Sequence, residues 1–195
     1  MDTREYIIDK AIALFLTNSY EAVSISDISD AIGFTKGALY HHFKNKEELF
    51  KAVIDKCFVI KEIELNEETT TLLDFSEACL NNAKQTLQKL FSHTQGFEVI
   101  NYMSLIADSF RHYPGFADQK IKFVLAETNK IRNIIIKSIE RGEIRSGIDT
   151  SLIAQSYYSI MIGMALPIIQ NQSIEQAIAN LRGQLDQMYL LLKRT

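Results

Sequence analysis

Between Ser24 and Lys46 the chain reads SISDISDAIGFTKGALYHHFKNK: hydroxyls, lysines, a tyrosine and a histidine pair, with no Asp or Glu from Ala31 through Lys46. Hydroxyl, ammonium, phenol and imidazole donors without neighbouring carboxylates are suited to a polyphosphate surface. They are poorly suited to catalysis. No nucleophile stands beside a base, no ligands fall at metal spacing and no Gly-rich loop cradles a phosphate, so neither an enzyme nor a cofactor is expected. His41 and His42 are adjacent, and on a helix they point about 100° apart, which prevents them from sharing a metal.

Each of these residues has a functional reading and a plainer one. Ser24 can present its hydroxyl and the free N–H groups of a helix start to a phosphate, or only cap that helix, and the two roles are compatible. Lys46, on the first turn of a later helix, adds an ammonium to the positive helix end; the plainer reading is a solvated lysine. Thr35 and Lys36 occupy the N-terminal end of a short helix, where base edges are read, and Lys36 can reach the acceptor edge of a guanine. Gly37 serves by lacking a Cβ, which lets the helix lie close in a groove, unless packing within the chain requires it. His41 points outward toward bases or backbone. Lys44 reads as solvent-facing or as a distant electrostatic contributor.

The elements that hold these residues follow from caps and periodicity. A first helix over 3–18 repeats apolar residues at Ile7, Ile8, Ala11, Leu14 and Phe15 and stops at Asn18-Ser19, Asn being tolerant of a left-handed C-cap. Ser24 with Asp27 forms a capping box for a second helix whose inner stripe is Ile25, Ile28 and Ile32. Gly33 permits the turn, and Phe34 plugs the core beneath it. Thr35 caps a third helix running to about His42, with Leu39 and Phe43 inward. Asn45, with Glu48 as its N3 partner, caps a fourth that runs to about Ile63. Five further helices are expected over 71–91, 97–110, 117–141, 149–169 and 173–193, separated by HTQG, HYPG, GEIRSGID and NQS. With two prolines in 195 residues, the chain reads as all-α, about nine helices in all.

The run Gly33, Thr35-Lys36-Gly37, Leu39-Tyr40, His42-Phe43, Lys46-Glu47 and Leu49-Phe50 resembles the TetR family of transcriptional regulators. The resemblance covers about residues 5–55. The chain departs from the usual pattern in lacking a Gly before Tyr20 and in placing Ser29 where Ala is usual. The resemblance implies a homodimeric repressor, released from a pseudo-palindromic operator by a small-molecule effector. It implies phosphate contacts from Tyr40 and His42, whose plainer readings are a packed aromatic and a ring stacked on Tyr40. Residues 1–46 would be a three-helix helix-turn-helix DNA-binding domain. Residues 47–195 would be a C-terminal helical bundle for ligand binding and dimerisation.

The formal charge of −3 and pI near 5.8 argue globally against a nucleic-acid partner. The local distribution reverses that argument: residues 1–30 carry six acids and two bases, while residues 31–46 carry Lys36, Lys44 and Lys46 alone. In the C-terminal part, Phe75, Cys79, Tyr102, Met103, Phe110, Phe123, Tyr157 and Met161 are candidates to line an effector pocket, although aromatics and Met at helical spacing are more often core. Glu98 and Glu127 read equally as polar anchors or surface charges. Ile153, Tyr157, Ile160, Met164 and Ile168 stripe one of the last two helices, and Ile178, Leu181, Leu185, Met188 and Leu192 the other. Such stripes could be core alone, but paired at the end of the chain they suit a four-helix subunit interface, and a homodimer through the last two helices is expected. A helical adaptor binding a partner protein through these helices is the alternative reading. Cys57 and Cys79 read as reduced, buried thiols, with a redox role left open. No apolar run reaches membrane-spanning length, and a cytoplasmic protein without a membrane partner is expected.

Overall fold

A computed structural model describes residues 2–58, 65–92, 99–163 and 173–194. Nine helices occur among them: α1 Thr3–Thr17, α2 Ile25–Ile32, α3 Lys36–His42, α4 Lys46–Cys57, α5 Leu72–Ser92, α6 Val99–His112, α7 Phe116–Glu140, α8 Thr150–Ile162 and α9 Ile174–Leu192. Side chains end several of them as expected. Ser24 Oγ accepts from Asp27 N–H at 3.1 Å and Asp27 Oδ2 accepts from Ser24 N–H at 2.8 Å, a complete capping box. Hydrogen bonding of its carboxylate to the Ser24 hydroxyl and then to the Ser24 N–H holds Asp27 below the ordinary carboxyl range. Thr35 Oγ1 accepts from Ala38 N–H at 3.2 Å. Gly33 turns the chain between α2 and α3 at φ 71°, a conformation a Cβ would strain.

Three local expectations change. Asn18 is extended, at φ −133°, and ends α1 by donating its side-chain amide to Leu14 O at 3.2 Å. Asn45 Oδ1 accepts from Glu48 N–H at 2.8 Å, but the Glu48 carboxylate reaches Lys44 N–H, one residue before the cap. The fourth helix closes at Cys57, where Phe58 donates its N–H to Ile54 O at 2.9 Å, and Ile63 lies outside the described residues.

The chain divides into two compact units. The first draws on α1–α4, α6 and the start of α7. Ile7 and Phe15 of α1, Ile28 of α2, Leu39 of α3, Phe50 of α4 and Leu105 of α6 share its core. Burying each such side chain stabilises by roughly 1.5–3 kcal/mol. The Lys56 ammonium of α4 bridges Glu5 at 2.6 Å and Asp9 at 2.7 Å on α1. The second unit draws on most of α5, the rest of α7, α8 and α9. Its core contains Tyr157, Ile178, Leu181, Leu185 and Leu192, with Ile153, Ile160 and Met188 packed against it. Most of the two stripes read above as a possible subunit interface is therefore this core; Met164 and Ile168 lie outside the described residues.

Candidate nucleic-acid interface

Helix α3 exposes one side and buries the other. Leu39 is buried, as is Phe43 just beyond the helix end, while Thr35, Lys36, Gly37, Tyr40 and His41 are exposed. Positions 36, 37, 40 and 41 share a face at helical spacing. Tyr40 is 51% exposed, which removes the packed-aromatic reading. His42 is half-buried, and its ring meets His41 at 5.5 Å and 80° rather than stacking on Tyr40. A Cβ at Gly37 would find only Thr35 Oγ1, at 3.9 Å. Packing within the chain therefore gives no reason for this glycine. Ser24 is exposed at the start of α2.

Lys46 is neither solvated nor a free ammonium. Its Nζ donates to Tyr20 O at 2.9 Å and to Val23 O at 3.0 Å, and lies 4.0 Å from the centre of the Tyr20 ring. Two of its three donors are thus spent on the turn before α2. Spacing alone had no means of pairing residues 20 and 46. It likewise missed Arg4, whose guanidinium lies 4.7 Å over the Phe43 ring.

The eight residues singled out for an effector do not converge. Phe75, Cys79 and Tyr157 lie in the core of the second unit, with Met161 packed against it. Phe123 is half-buried on α7, 5.7 Å from the Lys120 ammonium, whose pKa burial lowers. Tyr102 packs on the core of the first unit, Met103 is exposed, and exposed Phe110 meets Phe116 edge-on at 5.0 Å. Helical spacing fixes which residues share a face and leaves open what the face meets. Neither cysteine is in a disulfide and both are buried, and burial, helped by Glu127, pushes the Cys79 thiol up to about 12. The charge of Glu127 also raises the Tyr158 hydroxyl, after burial. The charge of Glu127, half-buried on α7, is thus felt on both α5 and α8. An open groove of about 380 Å³ between α5 and α9, lined by Lys84, Ile178, Arg182 and Asp186 among others, contains none of the eight.

A capped helix pair around a positive-φ glycine, with an acid-free second helix exposed along one face, defines a helix-turn-helix DNA-binding protein. The family described as bacterial regulatory proteins, tetR family, matches residues 7–53. The Tn10 TetC protein of Escherichia coli is 30% identical over 146 residues, covering 74% of this chain and 69% of that one. The HTH-type transcriptional repressor ComR of Escherichia coli strain K12 is 28% identical over 184 residues, 89% of this chain and 82% of ComR. In fold, the chain is similar to SmeT of Stenotrophomonas maltophilia in its triclosan complex, with a TM-score of 0.65, 17% identity and coverage of 98% and 92%. The chain belongs to the TetR family of bacterial regulatory proteins. It is a DNA-binding transcriptional regulator of the repressor kind, and not an enzyme. Among the described residues, no helix is long and apolar enough to cross a membrane.

Proposed function

We propose that the protein is a homodimeric repressor that sets the α3 helix of each protomer in successive major grooves of a pseudo-palindromic operator. The observation that carries this reading is Gly37. It sits within the exposed face of α3, has nothing nearer than Thr35 Oγ1 at 3.9 Å where its Cβ would be, and is costly in a helix unless something outside the chain approaches closely. Thr35 and Lys36 then read base edges. Ser24, Tyr40 and His42 hold phosphates, and His41 meets bases or backbone. Lys46 fixes the turn before α2 and has one N–H left for a phosphate. Residues 1–46 form the DNA-binding domain in this functional division, and 47–195 the ligand-binding and dimerisation domain. Such a protein works where the chromosome is, in the cytoplasm.

The effector is a small molecule held by the C-terminal domain. SmeT, similar in fold, has been solved as a triclosan complex. On this chain the candidates in the second unit are Phe75, Cys79, Phe123, Tyr157 and Met161. An effector releases DNA only by binding the non-binding conformation more tightly.

Selecting DNA from a random pool with the purified protein, then sequencing it, tests the reading. Two inverted half-sites are expected, with centres about 34–36 Å apart or somewhat wider on deformed DNA. Enrichment of no sequence, or of one unrepeated half-site, would overturn the dimeric operator model.

A further inference from the structure

Tyr20, in the turn between α1 and α2, is held from three directions. Its N–H donates to Asp108 Oδ2 of α6 at 2.7 Å, across 88 positions of sequence. Its C=O accepts from Lys46 Nζ of α4, which also holds Val23 O, the residue before the Ser24 cap. Its ring stacks on His112 of α6 at 4.2 Å and 17° and carries the Lys46 ammonium at 4.0 Å. Asp108 is 4% exposed. A carboxylate buried to that degree is expensive, and an apolar residue would pack the core as well; besides an ion pair between its Oδ1 and the exposed Arg111 at 3.6 Å, what the carboxylate adds is a fixed, charge-assisted bond to one main-chain group. His112 adds a second tie at the same turn, its Nε2 lying 3.5 Å from Glu21 Oε1.

We propose that Asp108 and His112 are positioning residues for DNA binding. Acting through Tyr20 and Lys46, they lock the starts of α2 and α4, the two helix ends that carry Ser24 and Lys46, at one spacing. DNA phosphates lie at fixed separations, so a surface that meets several at once must hold its donors to a fraction of an ångström. Neither Asp108 nor His112 touches DNA, and the removal of either leaves every DNA-facing charge in place. The inference rests on the reading that this surface binds operator DNA.

The test measures operator affinity against salt for the full-length protein and for Asp108→Ala, Asp108→Asn and His112→Ala, each well below its own melting midpoint, with hydrogen exchange read at the Tyr20 amide. Asp108→Ala is expected to bind roughly tenfold more weakly or worse, because the Tyr20 donor loses its acceptor. Asp108→Asn, whose amide oxygen can still accept, should fall between it and the parent. His112→Ala should also weaken binding. The slope of log affinity against log salt should stay unchanged while Tyr20 exchange quickens. Should Asp108→Ala fail to fold, Asp108→Asn and His112→Ala decide, the His112 side chain being 23% exposed and open to truncation. Folded variants that bind as the parent does would overturn the proposal, as would a loss accompanied by a slope shallower by about 0.9 per variant. A parent protein that binds no DNA would instead defeat the functional reading on which the inference rests.

Discussion

Gly37 and Ser29 are each poor choices for the fold, in different ways. A helical glycine is destabilising by roughly 0.5–1 kcal/mol relative to alanine, and a Cβ at Gly37 would meet nothing closer than 3.9 Å. Gly37→Ala is therefore expected to raise unfolding free energy by roughly that amount and to weaken operator binding, since the methyl would stand between α3 and the groove. Denaturant melts and DNA titration check the two halves separately; a stabilised variant with unaltered affinity would return Gly37 to chance. Ser29 is 3% exposed, and its Oγ has no hydrogen-bond partner. It also stands where the family usually has Ala. Relieving an unsatisfied buried hydroxyl makes Ser29→Ala stabilising by about 1 kcal/mol, readable as a higher thermal midpoint at unchanged DNA affinity.

Helix starts are decided by a few adjacent residues, so the caps at Ser24, Thr35 and Asn45 and the bounds of α2 and α3 followed from the sequence. Helix partners are decided by the whole chain and did not follow. Lys46 shows the difference. Its place on the first turn of α4 was evident, but its bonds to Tyr20 O and Val23 O depend on how α4 packs. The same limit explains why the apolar stripes of α8 and α9 pointed to an interface although most of them are core, and why the eight effector candidates divide between two units. Replacing Lys46 by Ala separates the roles. A free phosphate contact predicts a salt slope shallower by about 0.9. With two of three donors committed to the turn, we expect a smaller change in slope, a lower thermal midpoint and weaker operator binding. A full 0.9 change with an unchanged midpoint would restore the direct contact.

At the scale of the molecule, one recognition helix reads too little DNA to find an operator alone, so the proposed mechanism requires a second copy. Within the second unit, the interface must use residues the core has not consumed. On α8 these are Leu152 and Ile162, 58% and 63% exposed, and on α9 Leu190 and Leu191, 63% and 66% exposed. Large apolar side chains left in water on two helices that pack together are the raw material of a four-helix interface. Gly183, outward on α9 with nothing within 4 Å of its would-be Cβ, allows a close helix crossing there. Charging the surface should therefore break the dimer without unfolding the protomer. The double variant Ile162→Arg, Leu191→Arg is expected to scatter light as a particle of 22.3 kDa, against twice that mass for the parent, with its helical circular dichroism retained. Operator affinity should fall by roughly 10²–10⁴, because the second half-site is no longer tethered to the first, while binding to an isolated half-site should be unaltered. If the variant stays dimeric, the interface lies elsewhere on the chain; if it becomes monomeric and still binds the full operator as tightly as the parent, the two-fold mechanism fails.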